Sequence, residues 1–152
     1  MAKQSAGLVI YRARGGELEV LLVHPGGPFF KNKDDGSWSI PKGEFASGEE
    51  PLLAARRELE EETGLRAEGP FAPLGNVTQR GGKVVIAFAC AGDFDLTVIK
   101  SNRFEIEWPP RSGRRASFPE IDRAEYFALS AARVKINQGQ LPLLDRLAAA
   151  LA

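Results

Sequence analysis

Short runs of apolar and β-branched residues, separated by glycine-rich turns, recur along most of this chain and predict a protein rich in β-strands. Two of the runs flank Gly15-Gly16 and two more flank Gly81-Gly82, so each pair is expected to form a hairpin or neighbouring strands. These four runs are Ala6–Arg12, Leu18–His24, Phe71–Gln79 and Lys83–Ala91. Shorter β-like stretches are Trp38–Pro41, Leu96–Lys100, Arg103–Trp108 and Ala124–Leu129.

Helical spacing is clearest in the middle of the chain and at its end. The segment Gly139–Leu151 has leucines at helical intervals and predicts an amphipathic closing helix, preceded by a helical turn at Ser130–Val134. The segment Pro109–Pro119 is proline-rich, basic and irregular, and we interpret it as a mobile loop. Strands on both sides of a central helix, with a further helix at the end, indicate an α+β domain.

The central helix falls within Gly43–Leu65, where apolar and acidic residues occupy two different faces. At about 100° per residue, one narrow stripe is typical of a core-facing surface. Its members are Leu52, Ala55, Leu59 and Thr63. The spacing of Ser47 and Glu50 predicts a capping box, and Pro51 suits the first helical turn. Gly64 suits a residue of positive φ directly after the last turn.

Three glutamates share the second face of this helix. Glu58, Glu61 and Glu62 are spaced i, i+3 and i+4, which places them side by side. Carboxylates packed this closely repel one another and need a cation to remain ionised together. Oxygen ligands of this kind suit Mg²⁺ or Mn²⁺. The alternative is a solvated acidic helix face, which is what most charge runs are.

Length and composition narrow the class of protein. The 152 residues include 20 basic and 20 acidic side chains, so net charge is zero and neither a nucleic acid nor a membrane is expected as a partner. The length predicts a single domain, residues 1–152. Cys90, the one cysteine, lies in an apolar run and is interpreted as a core residue. Neither a signal peptide nor a run of 18 apolar residues occurs, so a soluble cytoplasmic protein is expected.

The segment Gly43–Leu65 resembles the Nudix box, which reads Gly, five residues, Glu, seven residues, Arg-Glu-U-x-Glu-Glu-x-Gly-U, with U aliphatic. Each required position is filled: Gly43, Glu49, Arg57, Glu58, Leu59, Glu61, Glu62, Gly64 and Leu65. From average residue usage, a chance match is on the order of one in ten million. The resemblance implies the Nudix fold, in which a mixed β-sheet is sandwiched between helices (α/β/α).

The resemblance also implies a reaction: hydrolysis of a phosphoric anhydride in a nucleoside diphosphate linked to another group, with Mg²⁺ or Mn²⁺ as cofactor. Glu58, Glu61 and Glu62 would be metal ligands, or one of them a base, and the backbone carbonyl of Gly43 an additional ligand. Arg57 would orient these carboxylates from beside Glu49, which is compatible with an ordinary i, i+4 pair between Arg57 and Glu61.

Outside the box, Glu120 is a candidate base or metal ligand, because Nudix enzymes often carry a further carboxylate in such a loop. The alternative is a plain loop glutamate. Glu107, in a strand that alternates acidic and apolar residues, is a second candidate. His24 is interpreted as a satisfied structural residue rather than a catalyst.

The stretch Trp38–Gly43 (WSIPKG) resembles the diadenosine polyphosphate hydrolase branch of the family, which predicts a dinucleoside polyphosphate substrate. Lys42 would bind a phosphate. Trp38 would stack on a base or belong to the core. Arg114 and Arg115, in the basic segment, would contact the far end of the substrate.

The alternatives are a nucleoside triphosphate pyrophosphohydrolase and a non-catalytic module that binds nucleotide or RNA. The predicted partner is a small-molecule nucleotide, and a monomer or a homodimer is expected. Some Nudix subfamilies carry a diagnostic Pro or Tyr after the box, and neither is present at Gly81–Lys83. ADP-ribose therefore has no support, and the dinucleotide prediction lacks one expected residue.

Overall fold

A mixed six-stranded β-sheet lies at the centre of the fold, in a computed structural model that describes residues 3–152. The strands are β1 (Gln4–Arg14), β2 (Glu17–Pro25), β3 (Lys42–Glu44), β4 (Ala72–Thr78), β5 (Val84–Ala91), β6 (Arg103–Glu107), β7 (Arg115–Pro119) and β8 (Ile121–Ala128). The α-helices are α1 (Pro51–Thr63), α2 (Leu129–Lys135) and α3 (Leu141–Ala150), and two 3₁₀ turns span Leu96–Val98 and Gln138–Gln140.

The sheet has the strand order β4-β5-β1-β2-β8, and β3 adds to β1. Strands β1 and β5 run parallel, whereas the other pairings in this sheet are antiparallel. The short strand β3 approaches β1 closely, and a Cβ at Gly7 would lie 2.6 Å from the carbonyl oxygen of Pro41. The glycine therefore permits the contact that brings Lys42 and Gly43 onto the sheet.

Helices cover both faces of the sheet, as the α/β/α expectation requires. Alternate residues of β1 point to opposite faces: Leu8 and Ile10 pack towards α1 with Leu59, whereas Val9 packs towards α3 with Leu144. Each of these side chains is completely buried. The sequence prediction of a mixed sheet between helices is thus confirmed.

Most elements predicted from hydrophobic patterning are confirmed. Both predicted hairpins form, as β1–β2 and β4–β5, and β8, α2 and α3 occupy the predicted final strand, helical turn and closing helix. Cys90 is buried in the core. Among residues 3–152, no helix is long and apolar enough to cross a membrane.

Three predictions of local structure are wrong. The segment Pro109–Pro119 is not an irregular loop, because its second half is β7, which pairs antiparallel with β6 in a separate two-stranded sheet. Leu96–Lys100 is not a strand, because Asp95 accepts a hydrogen bond from the Thr97 N–H and starts a 3₁₀ turn. Trp38–Pro41 makes only isolated bridges, and the strand begins at Lys42.

The predicted capping box is also wrong. Helix α1 begins at Pro51, the residue before it is Glu50, and no side chain caps the first turn. Pro51 itself is at the predicted first position, where its missing N–H costs nothing. Gly64 closes the helix with φ of 78° and donates its N–H to the Glu60 carbonyl at 2.7 Å, as predicted.

Candidate active site

The acidic face of α1 lies directly against β3. The neighbouring apolar stripe fixes the rotation of the helix, since Ala55, Leu59 and Thr63 are all buried. Thr63 completes this anchoring by donating its hydroxyl to the Leu59 carbonyl at 2.6 Å. With the helix held in this way, Glu58 and Glu62 point towards the backbone of the Lys42–Gly43 segment.

Gly43 and Glu58 are in close contact. A Cβ at Gly43 would overlap the carboxylate of Glu58, so only glycine leaves room for that side chain. One residue earlier, the backbone N–H of Lys42 donates to Glu62 Oε1 at 3.1 Å. The box glycine and two box glutamates therefore meet at one place, with the β3 backbone as the second wall.

Arg57 holds the carboxylates from the other side. Its Nε and Nη2 donate to the two oxygens of Glu49 at 3.0 and 3.2 Å. Its Nη1 donates to Glu58 at 2.9 Å and to both oxygens of Glu61 at 3.2 Å. One guanidinium thus fixes three glutamates, and the i, i+4 pair with Glu61 is part of that network.

Burial makes ionisation of these glutamates costly. Burial, with the charges of Glu58 and Glu120, raises the pKa of Glu62 to about 8, against the opposing hydrogen bond from the Lys42 backbone. Burial also raises the pKa of Glu58, and the charge of Arg57 opposes that change. The side chain of Glu58 is only 12% exposed. A cation beside these groups would favour their ionised forms.

A cavity of about 160 Å³ opens beside Glu62, and we call it the Lys42 cavity. Its lining combines an apolar floor with charged groups: Val23, Pro25, Ser39, Ile40, Lys42, Glu62, Glu120 and Ile121. Burial is the main cause that lowers the pKa of Lys42, followed by the nearby charge of Lys83. An amine and two carboxylates therefore share one small space.

Glu120 reaches this cavity because two backbone hydrogen bonds fix its position. Its N–H donates to the carbonyl of Asn102, and its own carbonyl accepts from the N–H of Gly26, both at 2.8 Å. The side chain is at the same cavity as Glu62, although the two residues are far apart in the sequence. Glu107 is elsewhere, since its carboxylate accepts a hydrogen bond from the Arg111 N–H at the end of the hairpin.

The donor set fits a divalent cation in its chemistry. Glu58, Glu61, Glu62 and the Gly43 carbonyl offer only oxygen atoms, which hard cations prefer. Across residues 3–152, no three acidic, histidine or cysteine side chains converge as a ready-made metal cluster. Glu61 is turned towards Arg57, so coordination by all three glutamates requires its side chain to rotate.

Comparison with known proteins identifies the family. The model for the NUDIX domain matches residues 1–147. The chain belongs to the Nudix family. Its Nudix box is the segment that builds the acidic site described above.

Three curated proteins are similar to this Nudix chain. An octanoyltransferase of Myxococcus xanthus is 33% identical over 107 residues, which are 70% of this chain and 26% of that protein. An RNA pyrophosphohydrolase of Bartonella henselae is 28% identical over 137 residues, 78% of this chain and 73% of that protein. A bis(5'-nucleosyl)-tetraphosphatase (asymmetrical) of Caenorhabditis elegans is 38% identical over 68 residues, 45% of each chain.

The chain therefore spans about a quarter of the first of these relatives and just under half of the third. Among solved structures, an Ap4A hydrolase of C. elegans in a binary complex superimposes with a TM-score of 0.65 at 23% identity. That superposition covers 99% of this chain and 98% of the other. It supports the Nudix fold.

Burial of Trp38 leaves no exposed ring face for stacking on a base, which was one of the two roles considered for it. The indole is 1% exposed and packs edge-on against Phe127 at 4.9 Å and His24 at 5.1 Å. Its N–H donates to Asp34 at 2.8 Å. Burial and a satisfied polar atom make Trp38 a core residue.

Arg114 and Arg115 lie at the turn end of the β6–β7 hairpin, exposed to solvent. Arg115 and Glu120 are five positions apart along an extended chain, a span of about 17 Å. The structure therefore does not bring these arginines to the Lys42 cavity. A substrate would have to extend along the hairpin to reach them.

Two residues near the site were not identified from the sequence. Lys83, at the start of β5, is close enough to Lys42 for its charge to lower the pKa of that amine. Asp122 lies 2.7 Å from Nδ1 of the buried His24. Neither belongs to a motif, and only the packing of β5 and β8 against the rest of the sheet places them here. His24 has partners at both ring nitrogens, as its structural interpretation predicts.

Proposed function

We propose that this Nudix protein is a divalent-metal-dependent hydrolase that cleaves a phosphoric anhydride in a nucleoside diphosphate linked to another group. The observation that carries the proposal is the meeting of Glu62, Lys42 and Glu120 at one cavity beside the box glycine. Residues 1–152 would form a single Nudix domain. We place the protein in the cytoplasm as a monomer or homodimer.

The metal site in this proposal consists of Glu58, Glu61 and Glu62 with the backbone carbonyl of Gly43. When bound there, Mg²⁺ or Mn²⁺ neutralises charge on phosphate oxygens and activates water for attack. Arg57, itself held by Glu49, keeps Glu58 oriented, and Glu61 leaves its contact with Arg57 to join the metal site. This arrangement supplies electrostatic stabilisation and alignment, which are the main demands of phosphoryl and nucleotidyl transfer.

Two residues act on the substrate from the cavity. The ammonium of Lys42 provides a point charge for a phosphate group, and its half-buried position strengthens that contact relative to one in open water. Glu120 is positioned to accept a proton from the attacking water or to add a ligand to the cation. Its two backbone hydrogen bonds hold it there before the substrate binds.

We propose a dinucleoside polyphosphate as the substrate. Support comes from the WSIPKG stretch ahead of the box and from the C. elegans relative, whose name describes a bis(5'-nucleosyl)-tetraphosphatase. A dinucleotide has a longer anionic chain than a triphosphate, so it can contact Lys42 and, at its far end, Arg114 and Arg115. Each contact that survives solvent screening would contribute about 1 kcal/mol.

A second candidate keeps the chemistry and changes the substrate. The B. henselae relative, aligned over 78% of this chain, is named an RNA pyrophosphohydrolase. A 5'-triphosphate on RNA presents the same anhydride as a free nucleoside triphosphate. The two substrates therefore belong in one test, together with the dinucleotides.

The test is a substrate panel with purified protein and either Mg²⁺ or Mn²⁺, containing diadenosine tetraphosphate, ATP, dGTP and a 5'-triphosphorylated RNA oligonucleotide. We expect the highest kcat/KM for the dinucleotide, with products identified by chromatography. The Glu58→Gln variant, prepared in the same way, controls for contaminating hydrolases because it removes a metal ligand. Faster cleavage of ATP, dGTP or the RNA than of the dinucleotide would refute the substrate assignment and leave the reaction class intact.

A further inference from the structure

A second cavity lies beside the Lys42 cavity, between the β6–β7 hairpin and the loop that follows β2. It encloses about 440 Å³ and is lined by Pro28, Lys31, Trp108, Phe118, Pro119 and Asp122. We call it the aromatic cleft. Its volume lies within the range of small-molecule sites, about 300–1,000 Å³.

The aromatic walls of the cleft are held in place by neighbouring rings. Phe29 packs edge-on against Trp108, with ring centroids 5.5 Å apart, and Phe104 packs against Phe118 at 6.0 Å. Phe104 also contacts Gly27, where an added Cβ would lie 2.8 Å from its ring. The hairpin is thus fixed against the loop, and Trp108 is oriented before any ligand enters.

The rim of the cleft has one cationic side chain, Lys31, and one anionic side chain, Asp122. The buried His24 contacts Asp122 and the loop that carries Lys31. His24 Nε2 donates to the Lys33 carbonyl at 2.7 Å, which fixes the loop that carries Lys31. Its Nδ1 lies 2.7 Å from Asp122 Oδ1. The Asp122 side chain is 34% exposed, so it can still meet a ligand. Flat apolar walls with a donor and an acceptor at the edge match the shape and chemistry of a nucleobase.

The aromatic cleft and the Lys42 cavity are lined by neighbouring residues of one short segment. Pro119 and Asp122 line the cleft, whereas Glu120 and Ile121, the two residues between them, line the Lys42 cavity. Consecutive Cα atoms are about 3.8 Å apart, so both spaces lie against the same four-residue segment. A nucleotide with its phosphate at Lys42 could place its base in the cleft.

We infer that the aromatic cleft binds the nucleobase of the substrate, with Trp108 as the stacking residue and Lys31 and Asp122 contacting the edge of the base. This inference rests on the proposed function, which supplies a nucleotide to the adjoining cavity. It assigns base binding to the hairpin, and not to the buried Trp38 beside the box. The hairpin then acts as a specificity element that is separate from the metal site.

Binding of AMP and GMP in EDTA tests the inference without metal or turnover, by calorimetry and by tryptophan fluorescence. We expect Trp108→Ala to weaken binding about tenfold, which is about 1.4 kcal/mol. One base stacked on one aromatic ring contributes on this scale. Trp108→Phe should retain binding but lose the fluorescence change, because only the buried Trp38 then emits. Inorganic tripolyphosphate, which has no base, should bind equally well to all variants.

Phe30→Ala is the matched control, since Phe30 belongs to the same loop and is 37% exposed but does not line the cleft. It should bind AMP within about twofold of the unchanged protein. The inference would be overturned if Trp108→Ala bound AMP and GMP as tightly as the unchanged protein does. It would also be overturned if the substitution changed only the oligomeric state, as measured by light scattering. If the variant loses base binding while the unchanged protein hydrolyses no nucleotide, the cleft stands and the proposed function fails.

Discussion

Protons and divalent cations should compete for Glu62. Burial raises the pKa of this carboxyl to about 8, so at neutral pH it is mostly protonated in the metal-free protein. A metal ligand must be ionised, and binding therefore has to displace the proton. The affinity for the cation therefore falls as pH drops below the pKa of Glu62 and levels off above it.

The size of the effect follows from the fraction of Glu62 that is ionised. With a pKa of about 8, that fraction is about one in ten at pH 7 and about one in a hundred at pH 6. The apparent Kd for Mn²⁺ should therefore rise about tenfold between pH 7 and pH 6, equivalent to about 1.4 kcal/mol. Glu58, whose pKa is also raised, can only steepen this dependence.

Mn²⁺ binding is measured by electron paramagnetic resonance or calorimetry at pH 6, 7, 8 and 8.5. The Glu62→Gln variant should bind more weakly and show a much flatter dependence on pH. Glu60→Gln is the matched control, because Glu60 is on the same helix but is exposed and paired with Arg66. A Kd that is constant from pH 6 to pH 8 in the unchanged protein would refute the assignment of buried Glu62 as a ligand.

Three further outcomes are expected. Glu120→Gln should lower kcat with little change in KM, since a base or ligand acts in the transition state; activity within about twofold of the unchanged enzyme would make it a plain loop residue. Gly43→Ala should lower kcat by about a hundredfold at unchanged Tm, because its methyl group displaces the Glu58 carboxylate; normal turnover would contradict that contact. Neutralising Arg114 and Arg115 together should raise KM for the dinucleotide but not for ATP, and equal effects on both would exclude a contact at the far end of the substrate.

The acidic helix could be predicted because the spacing of residues within one short segment is enough to define its two faces. Helical spacing alone places Leu59 in the core and Glu58 and Glu62 on a shared face, and the structure has both. The N-terminus of α1 was predicted incorrectly. Ser47 and Glu50 have the spacing of a capping box, but the helix begins at Pro51, which has no N–H for a side chain to cap.

Strand β6 was predicted within Arg103–Trp108, but its partner β7 was missed although its pattern was present. Phe104 and Ile106 on β6 face Phe118 and Ala116 on β7, with exposed residues between them. Two prolines and several arginines in the connection concealed this alternation, since both residue types are common in irregular loops. A short strand that pairs outside the main sheet gives a weak signal in any single sequence.

The role of Trp38 could not be settled from the sequence because an indole suits both a core and a base-binding surface. Its contacts decide the question, and they come from Phe127 and His24, far away in the chain. The same holds for Glu120, which lies at the same cavity as Glu62 and whose backbone is bound by Gly26, directly after β2, and by Asn102. The residue type suggested the possible roles of Trp38 and Glu120, and the arrangement of the strands determines which role each residue can have.

The local sequence pattern and the long-range arrangement of the strands specify different parts of the site. The box is contiguous, so a local pattern is sufficient to specify the carboxylates, their supporting Arg57 and the helix that carries them. The surfaces that would contact the rest of the substrate come from β2, β7 and β8, which no short pattern links. Chains that share the box can therefore share a reaction and differ in substrate, because changes in the hairpin leave α1 and β3 untouched. For this protein, substitutions at Trp108 should change how tightly a nucleotide binds, whereas substitutions at Glu58 should change how fast any bound nucleotide is cleaved.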